Sequence, residues 1–304
     1  MTPMNAASPA GIWPVLYAYF DKNNHLDRNA MRLQVERTIA AGAPGIVVLG
    51  LATEVQRLSR SEREKIVDWA HEDIGSRVPL AVTVTGETPE AQIEFGNWSV
   101  THGAQWLILQ PPSTRTQPEQ FYFDFFATVM QGLPRSVGAG IQNAPEYLGV
   151  GLSPESLTGL GTKCANFRWL KGEGAATVLQ TTIQCLRESG NTMPVFNGRG
   201  GQELLDNLRA GCAGMIVAPD SFDHQVRIFE ALKHDPTAAQ RLYEDVLPAI
   251  VFVMQSLDAL TCYGKRIAAW RMGFEVSHDR GIAPTAFGLD CARRFADSLG
   301  PYRG

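Results

Sequence analysis

Lys171 closes an apolar stretch, residues 166–171, that has the length and composition of a β-strand. Because side chains of a strand alternate between its two faces, Phe167, Trp169 and Lys171 would share one face. An amine that lies behind two aromatic rings is desolvated, which favours its neutral form, and a neutral amine can attack a ketone carbon to give an imine. The alternative is a lysine that leaves the core and meets water. This stretch alone does not separate the two interpretations.

Other chemically capable residues follow other predicted strands. The loop 50–54 has backbone amides and the Thr53 hydroxyl that could hold a carboxylate. A glycine-rich turn at 197–201 contains Arg199 and precedes a helix, so its amides could bind a phosphate. Its glycines could equally serve a tight turn or a wide pocket mouth. Further polar loops are 111–113, 142–145, 172–174 and 219–220.

Two kinds of chemistry lack support. The six histidines form no HxxxH or HxH pair, so we expect no metal site. Ser153 and Ser221 have no nucleophile-elbow pattern around them, so a hydrolase triad is not indicated.

The composition is that of an ordinary soluble globular protein of 304 residues, 44% hydrophobic and 19% charged. The net charge is −4 with both signs interspersed, which predicts no nucleic-acid or membrane surface and leaves small polar substrates open. The five cysteines are scattered without a CxxC pair, as in a reduced cytoplasmic chain. The first nine residues lack the pattern of a secretory signal, and no apolar run has the length of a membrane span.

Strand-like and helix-like segments alternate along most of the chain. Eight predicted strands cover residues 11–19, 44–50, 78–85, 105–110, 137–141, 166–171, 193–197 and 213–218, with amphipathic segments such as 27–41, 61–74, 89–102 and 118–131 between them. Ser59 or Ser61 can cap the second helix, and Ser153 starts a later one. This order favours an α/β fold of the (β/α)8 TIM-barrel type over an open doubly wound sheet, and in such a barrel catalytic groups stand at the carboxyl ends of the strands.

Strand signals stop after about residue 235. Segments 238–254, 256–272 and 285–299 read as three helices. We therefore predict a barrel domain, residues 1–234, that carries the active site, and a C-terminal three-helix extension, residues 235–304, packed against it.

Several motifs together give the chain a family resemblance. They are Gly11-Ile12-Trp13-Pro14, the 50–54 loop followed by Leu58-Ser59 and Glu62, Asn143-Ala144-Pro145 followed by Leu152-Ser153-Pro154-Glu155, and Lys171. With these the chain resembles the dihydrodipicolinate synthase and N-acetylneuraminate lyase family, class I aldolase-type TIM barrels whose lysine on the sixth strand forms a Schiff base with a 2-keto acid. The resemblance covers about residues 11–220 and identifies Lys171 as the imine-forming lysine.

The departures from the family pattern concern substrate. Gln142 stands where a tyrosine usually precedes Asn-x-Pro, Ser113 stands where a tyrosine usually follows Pro-Pro, and the family's arginine after Asn-x-Pro-Gly is replaced by Glu146-Tyr147. The family's proton relay of two tyrosines and a threonine is therefore absent. Gln142–Pro145, Thr53-Glu54 and Lys171-Gly172-Glu173 are similar to the pattern of the L-2-keto-3-deoxyarabonate dehydratase branch.

This resemblance implies a set of roles. Lys171 forms the imine, Thr53 and Gln142 orient the substrate or a proton-carrying water, and Glu173 acts as acid and base or is a structural partner. Ala52, Asn143, Gly198, Arg199 and Ser113 are expected to bind substrate, with Arg199, Tyr147 and residues 113–117 lining its distal part. The covalent imine needs no metal and no organic cofactor. Family members are commonly tetramers, so we expect a homo-oligomer, a tetramer or a dimer, although Ser113 in place of an interface tyrosine leaves room for a site complete within one subunit.

Three functions remain open from the sequence. Dehydration of a 2-keto-3-deoxy sugar acid and retro-aldol cleavage to pyruvate and an aldehyde use the same imine and differ at C4. Gln142 has no titratable group to deprotonate the C4 hydroxyl, which favours dehydration. The third possibility is a non-catalytic ligand-binding homologue, which the retained Lys171 disfavours.

Overall fold

All eight apolar segments form parallel strands of one sheet in a computed structural model, which describes residues 9–303 apart from the side chain of Tyr147. The strands are β1 Gly11–Pro14, β2 Ile46–Val48, β3 Leu80–Val84, β4 Ala104–Leu109, β5 Gly138–Asn143, β6 Phe167–Gly172, β7 Val195–Asn197 and β8 Gly214–Val217. Their order is β1-β8-β7-β6-β5-β4-β3-β2, and a parallel bridge between Val15 and Val47 joins the two outer strands. The predicted (β/α)8 barrel is confirmed.

Helices alternate with the strands and surround the barrel. They are α1 Arg28–Ala40, α2 Arg60–Ile74, α3 Pro89–Thr101, α4 Glu119–Gly132, the short α5 Pro145–Leu148, α6 Pro154–Lys163, α7 Ala176–Glu188, α8 Leu204–Ala210 and α9 Phe222–Leu232. Ser59, not Ser61, caps α2, in a reciprocal capping box with Glu62. Ser153 caps α6 as predicted.

Four aromatic rings fill the barrel interior below Lys171. Trp169 packs against Trp13, Trp106 and Phe196 with ring centroids 5.3 to 5.8 Å apart, and its indole N–H donates to the Leu107 carbonyl at 2.9 Å. On the neighbouring strand, a Cβ at Gly140 would lie 2.3 Å from the Trp169 ring, so this position requires glycine. Lys171 therefore follows, on the same strand, a residue packed in an aromatic layer.

Strand β1 is shorter than the predicted segment 11–19. After Pro14 the chain leaves the regular ladder, and the amide and carbonyl of Tyr17 pair with the side chain of Gln34 at 2.9 and 3.0 Å. The residues remain buried because α1 supplies these hydrogen bonds in place of a strand.

The C-terminal helices are α10 Pro236–Val253, a continuous run of α11 Leu257–Ala259, a π-helical turn Leu260–Gly264 and α12 Lys265–Met272, and α13 Ala286–Leu299. Asp235 caps α10, at the predicted start of the extension. Apolar residues of these helices share a buried cluster with Ile12, Met215 and Val217 of the barrel. The division into two domains stays a prediction. Residues 1–8 of the predicted barrel domain lie outside the described residues, and so does the predicted lack of a targeting signal there.

Among the described residues, no single helix is long and apolar enough to cross a membrane. Helix α10 and the 257–272 run, bent by 107° relative to each other, reach that length and apolar composition only when taken together.

Candidate active site

Strand register brings three polar side chains together at the carboxyl ends of β4, β5 and β6. Gln142 of β5 pairs with Lys171 of β6, and Leu109 of β4 pairs with Ile141, which places Gln110 next to Gln142. Residues in register on adjacent strands point to the same face. These three side chains therefore lie on one inward-facing surface above the aromatic layer.

Lys171 and Glu173 form a buried ion pair at the centre of this surface. The Lys171 Nζ lies 2.8 Å from the Glu173 Oε1, and the same oxygen accepts a hydrogen bond from the Gln142 Nε2 at 2.8 Å. Lys171 is 6% exposed and Glu173 5%. At this burial a paired carboxylate is the group that can take a proton from the amine. The predicted residues Lys171, Gln142 and Glu173 are thus in direct contact.

Gly198, after β7, makes room for this pair. A Cβ at Gly198 would lie 2.5 Å from the Glu173 Oε1 and 2.7 Å from the Lys171 Cε. The Gly198 amide donates to the Gly172 carbonyl at 3.1 Å. The residue predicted to bind substrate is therefore also the position whose lack of a side chain lets Lys171 and Glu173 meet.

Asn143 holds the loop that follows β5. Its side chain donates to the Leu152 carbonyl at 3.0 Å and accepts from the Leu152 amide at 2.7 Å, while its carbonyl accepts from the Glu173 amide at 2.8 Å. The structure gives Asn143 these supporting contacts, which fix the backbone of Glu173. Its predicted contact with substrate stays a prediction.

The loop after β2 contains two successive 3₁₀ turns, Leu51–Thr53 and then Val55–Arg57. The amides of Thr53 and Glu54 donate within the first turn, and the Thr53 hydroxyl donates to the Leu16 carbonyl at 2.6 Å. The Ala52 amide lies at the start of this turn, where, as in the first turn of a helix, the N–H groups have no acceptor within the turn. Thr53 is buried and tied to the residues after β1, so its side chain secures the turn.

Two predicted distal residues make contacts near the rim of the barrel. The amide and hydroxyl of Ser113 donate to the Glu87 carboxylate at 2.9 and 2.6 Å. Arg199 lies 3.3 Å from the Glu146 carboxylate and 3.7 Å from that of Glu203. The part expected for the Tyr147 side chain lies outside the described residues.

Gln110 is a residue of this site that sequence reasoning missed. Its Nε2 donates to the Gln142 Oε1 at 2.7 Å, and its own carbonyl accepts from the Gln92 Nε2 at 2.8 Å. The signal was present, since Gln110 ends the fourth predicted strand just before the Pro-Pro pair.

A second missed pair lies beside the loop after β2. Lys265, at the start of α12, forms a short hydrogen bond with the Glu54 carboxylate, and the other carboxylate oxygen accepts from Arg57 at 2.9 Å. Burial lowers the pKa of Lys265, and the adjoining Glu54 carboxylate opposes that shift. The pair therefore ties the C-terminal helices to the residue that follows Thr53.

A third buried polar group follows β8. Asp220 accepts hydrogen bonds from the Tyr17 hydroxyl at 2.8 Å and from the Ser221 hydroxyl at 3.0 Å. Burial raises the pKa of Asp220 to about 6, although both hydrogen bonds oppose the shift. Burial, and after it the negative charge of the neighbouring Asp220, raises the pKa of Tyr17 well above its usual value.

A large concavity of about 1750 Å³ opens at the opposite end of the barrel. Its walls include Pro44, Pro79 and Ala104, at the amino ends of strands, and its titratable side chains are those of Arg135 and Arg168. Catalytic groups of a TIM barrel stand at the carboxyl ends instead. The candidate active site is therefore assigned to the Lys171 end of the barrel and not to this concavity.

Within residues 9–303, no group of three or more histidine, cysteine, aspartate and glutamate side chains could hold a metal ion. The five cysteines are free thiols. The predicted lack of metal and cofactor and the cytoplasmic location stay predictions.

Comparison with known proteins supports the family resemblance. A sequence model described as the dihydrodipicolinate synthetase family matches residues 8–261. An L-2-keto-3-deoxyarabonate dehydratase from Azospirillum brasilense is 26% identical over 82% of this chain and 81% of its own length. A protein from Escherichia coli K12 named "probable 2-dehydro-3-deoxy-D-pentonate aldolase" is 24% identical over 72% of both chains.

Solved structures agree on the fold. A dihydrodipicolinic acid synthase family protein from E. coli K12, solved with pyruvate, superposes with a TM-score of 0.86 at 20% identity, over 95% of this chain and 98% of its own. A monomeric dihydrodipicolinate synthase variant gives 0.87 at 17% identity, over 95% and 96%. The homo-oligomer expected from the sequence stays a prediction.

Proposed function

The chain belongs to the dihydrodipicolinate synthetase family, and we propose that it is a lyase that binds a 2-keto acid as an imine on Lys171. The observation that carries this proposal is the buried contact of the Lys171 amine with the Glu173 carboxylate, which the Gln142 amide shares. A carboxylate at this distance can take the proton that the ammonium must lose before it attacks. The role of Glu173 as acid and base is part of the proposal.

Imine formation proceeds by proton transfers that these residues can serve. The neutral Lys171 amine adds to the C2 carbonyl, the resulting carbinolamine loses water, and a protonated imine remains. Glu173 takes the first proton and can return it to the departing hydroxyl. The Ala52 amide, at the start of its turn, is proposed to bind the substrate carboxylate, with Thr53 securing that turn.

We further propose dehydration of a 2-keto-3-deoxy sugar acid as the reaction. The imine acidifies C3, a base removes one C3 proton, and the enamine expels the C4 hydroxyl as water after it receives a proton. Gln142 occupies the place of a group that would deprotonate that hydroxyl for cleavage, and an amide does not titrate. The 26% identical dehydratase supports this choice.

Retro-aldol cleavage is the second candidate, and the relative named as an aldolase favours it. Cleavage uses the same imine but removes the proton of the C4 hydroxyl and breaks the C3–C4 bond. Asn143, Gly198, Arg199 and Ser113 are proposed to contact the distal part of either substrate. A homologue that binds ligand without turnover is the remaining alternative.

One experiment tests imine and reaction together. Borohydride reduction in the presence of pyruvate should add the ligand's mass to the Lys171 peptide, and Lys171→Arg should abolish both adduct and activity while the protein stays folded. In a panel of pentonic and hexonic 2-keto-3-deoxy acids, a product lighter by one water supports dehydration, and pyruvate with an aldehyde supports cleavage. A folded protein that traps no 2-keto acid contradicts the imine, and tight binding without turnover supports the binding homologue.

A further inference from the structure

The side chain of Gln142 lies between two partners that it engages with different ends of its amide. Its Nε2 donates to the Glu173 Oε1 at 2.8 Å, and its Oε1 accepts from the Gln110 Nε2 at 2.7 Å. Gln142 is 1% exposed and Gln110 8%. The contacts form one line, Gln110 to Gln142 to Glu173 to Lys171.

The chemistry of the groups fixes the direction of this line. An ammonium only donates and an ionised carboxylate only accepts, so Glu173 requires the N–H end of the Gln142 amide. The oxygen end of Gln142 then faces β4, where only a donor can satisfy it. Gln110 provides that donor.

The backbone of Gln110 is held on two sides. Its amide donates to the Val84 carbonyl at 3.0 Å, and its carbonyl accepts from the Gln92 Nε2, which also donates to the Gly86 carbonyl at 3.0 Å. A side chain on so firmly held a backbone is a suitable anchor for a neighbouring amide.

From these contacts we infer that Gln110 is a positioning residue for the reaction: it holds the oxygen end of the Gln142 amide and so keeps the N–H end aligned on Glu173. This inference rests on the proposed imine chemistry. Without a donor at position 110, the Gln142 oxygen loses its partner, and the amide is held at one end only, by Glu173. The hydrogen bond from Gln142 to Glu173 then loosens and Glu173 loses its alignment with the Lys171 amine, so proton transfer slows, whereas the Ala52 turn proposed to bind the substrate carboxylate is untouched.

Two substitutions of nearly equal size separate this role from simple packing. Gln110→Met removes the donor, and kcat should fall about tenfold with little change in KM, the effect of one lost hydrogen bond. Gln110→Glu places a carboxylate against the Gln142 oxygen. Its kcat relative to wild type should be lowest at pH 8 and should rise as the pH falls, because a protonated carboxyl donates again.

The charged groups around position 110 are the same in variant and wild type. Lys171 of β6 and Glu173, which directly follows β6, lie beyond Gln142, and on the β3 side Arg63 donates to the Thr85 hydroxyl at 3.3 Å. The ratio of the two kcat profiles therefore reports the introduced carboxyl. Gln105→Glu, an exposed position at the start of the same strand, is the matched control and should leave the profile unchanged.

The measurements are kcat and KM from pH 5 to 8 on the substrate found in the panel, with borohydride trapping of pyruvate in each protein. In a Gln142→Leu background, Gln110→Met should cause no further loss, since Gln110 acts through Gln142. Normal trapping and unchanged kcat in both Gln110 variants overturn the role of Gln110 and leave the proposed function standing. Absence of any adduct in the wild type overturns the proposed function and this role with it. A Gln110→Glu loss that does not vary with pH also contradicts the inference.

Discussion

Gly198 has no side chain at the point where Lys171 and Glu173 come closest to β7. Since a Cβ there would lie 2.5 Å from the Glu173 Oε1, Gly198→Ala must displace the carboxylate or the lysine. A misplacement of about 1 Å at a reacting group can cost about a hundredfold in rate. We expect kcat/KM to fall by about that factor, with a much smaller loss of stability, as measured by steady-state kinetics and thermal unfolding.

Gly174→Ala is the matched control for this change. Gly174 lies in the loop after β6, the strand of Lys171, but a Cβ there would meet its nearest atom, of Val178, at 3.4 Å, an ordinary contact. Its activity should stay close to that of the wild type. Equal losses of activity in the two variants would show that the loops after β6 and β7 are sensitive to any added methyl group. They would contradict a specific requirement for glycine at position 198.

At the residue level, the sequence predicts the residues of the Lys171–Glu173 contact but not Gln110, which holds Gln142 beside it. Lys171, Gln142 and Glu173 were predicted together, and they touch. Gln110 was overlooked because its contact with Gln142 depends on the register between β4 and β5, which no single segment of sequence contains. Asn143 was predicted to bind substrate, yet its amide is engaged with Leu152 of the following loop, a partner that only the folded chain brings near.

At the level of elements, α12 holds the loop that follows β2. Glu54 adopts a left-handed backbone conformation, φ 56°, directly after the Leu51–Thr53 turn, and its carboxylate is buried against Lys265. A non-glycine residue in this region is strained and persists because its surroundings hold it. The turn proposed to bind the substrate carboxylate is therefore fixed by a lysine that lies beyond the part of the chain matched by the family model.

We predict that Lys265→Met destabilises the fold and weakens substrate binding. Removing one partner of a buried ion pair lowers the free energy of unfolding by about 3 to 5 kcal/mol. We expect a loss of about 3 kcal/mol, because Arg57 still contacts one Glu54 oxygen. KM should rise more than kcat falls, since the turn is proposed to contact the substrate carboxylate and not the reacting carbon. Denaturant unfolding and steady-state kinetics measure the two effects.

The double variant Lys265→Met with Glu54→Gln is the control for charge. With neither charge buried, most of the lost stability should return. If the double variant is no more stable than Lys265→Met alone, the loss comes from packing, and the ion pair does not secure this loop.

The elements themselves were largely predictable, and their ends were not. Apolar runs and alternating amphipathic segments identify all eight strands because a parallel strand buried on both faces must be apolar throughout. The end of β1 escaped prediction because Gln34 of α1 supplies the hydrogen bonds of Tyr17, so residues 17–19 stay apolar and buried outside the ladder. Such a substitution of a side chain for a neighbouring strand depends on tertiary contact.

On the scale of the whole molecule, buried and half-buried polar contacts join the C-terminal helices to the barrel. Arg271 of α12 forms a bidentate pair with Asp223 at 2.7 and 2.8 Å, and Arg280 contacts Glu62 of α2 at 2.6 and 3.0 Å. The Arg271 guanidinium also donates to the Asp220 carbonyl at 2.8 Å. Asp220 thus lies where the C-terminal helices meet the barrel, and we expect the ionisation of its carboxyl to change the stability of both parts.

Asp220 should make the protein less stable as the pH rises through the range from about 4 to 6. Its pKa is raised by burial from 3.8 to about 6, so in that range the folded protein binds a proton that the unfolded chain has released. Stability therefore falls by about 3 kcal/mol across the range and is level above it. Asp220→Asn keeps an acceptor for Tyr17 and removes the charge, so relative to wild type it should gain about that amount between pH 4 and pH 8.

Glu62 provides a control of opposite sign. Its hydrogen bonds with Arg280 lower the pKa of Glu62 from 4.5 to about 2, so the ionised carboxylate stabilises the folded protein above pH 4.5 and this stabilisation is lost as the pH falls towards 2. Glu62→Gln should therefore lose stability at neutral pH, and the loss should shrink in acid. Free energies of unfolding from urea titrations at several pH values measure both differences.

A stability difference between Asp220→Asn and wild type that stays constant from pH 4 to pH 8 would show that Asp220 does not titrate in this range, and that its hydrogen bonds with Tyr17 and Ser221 outweigh the cost of burying its charge.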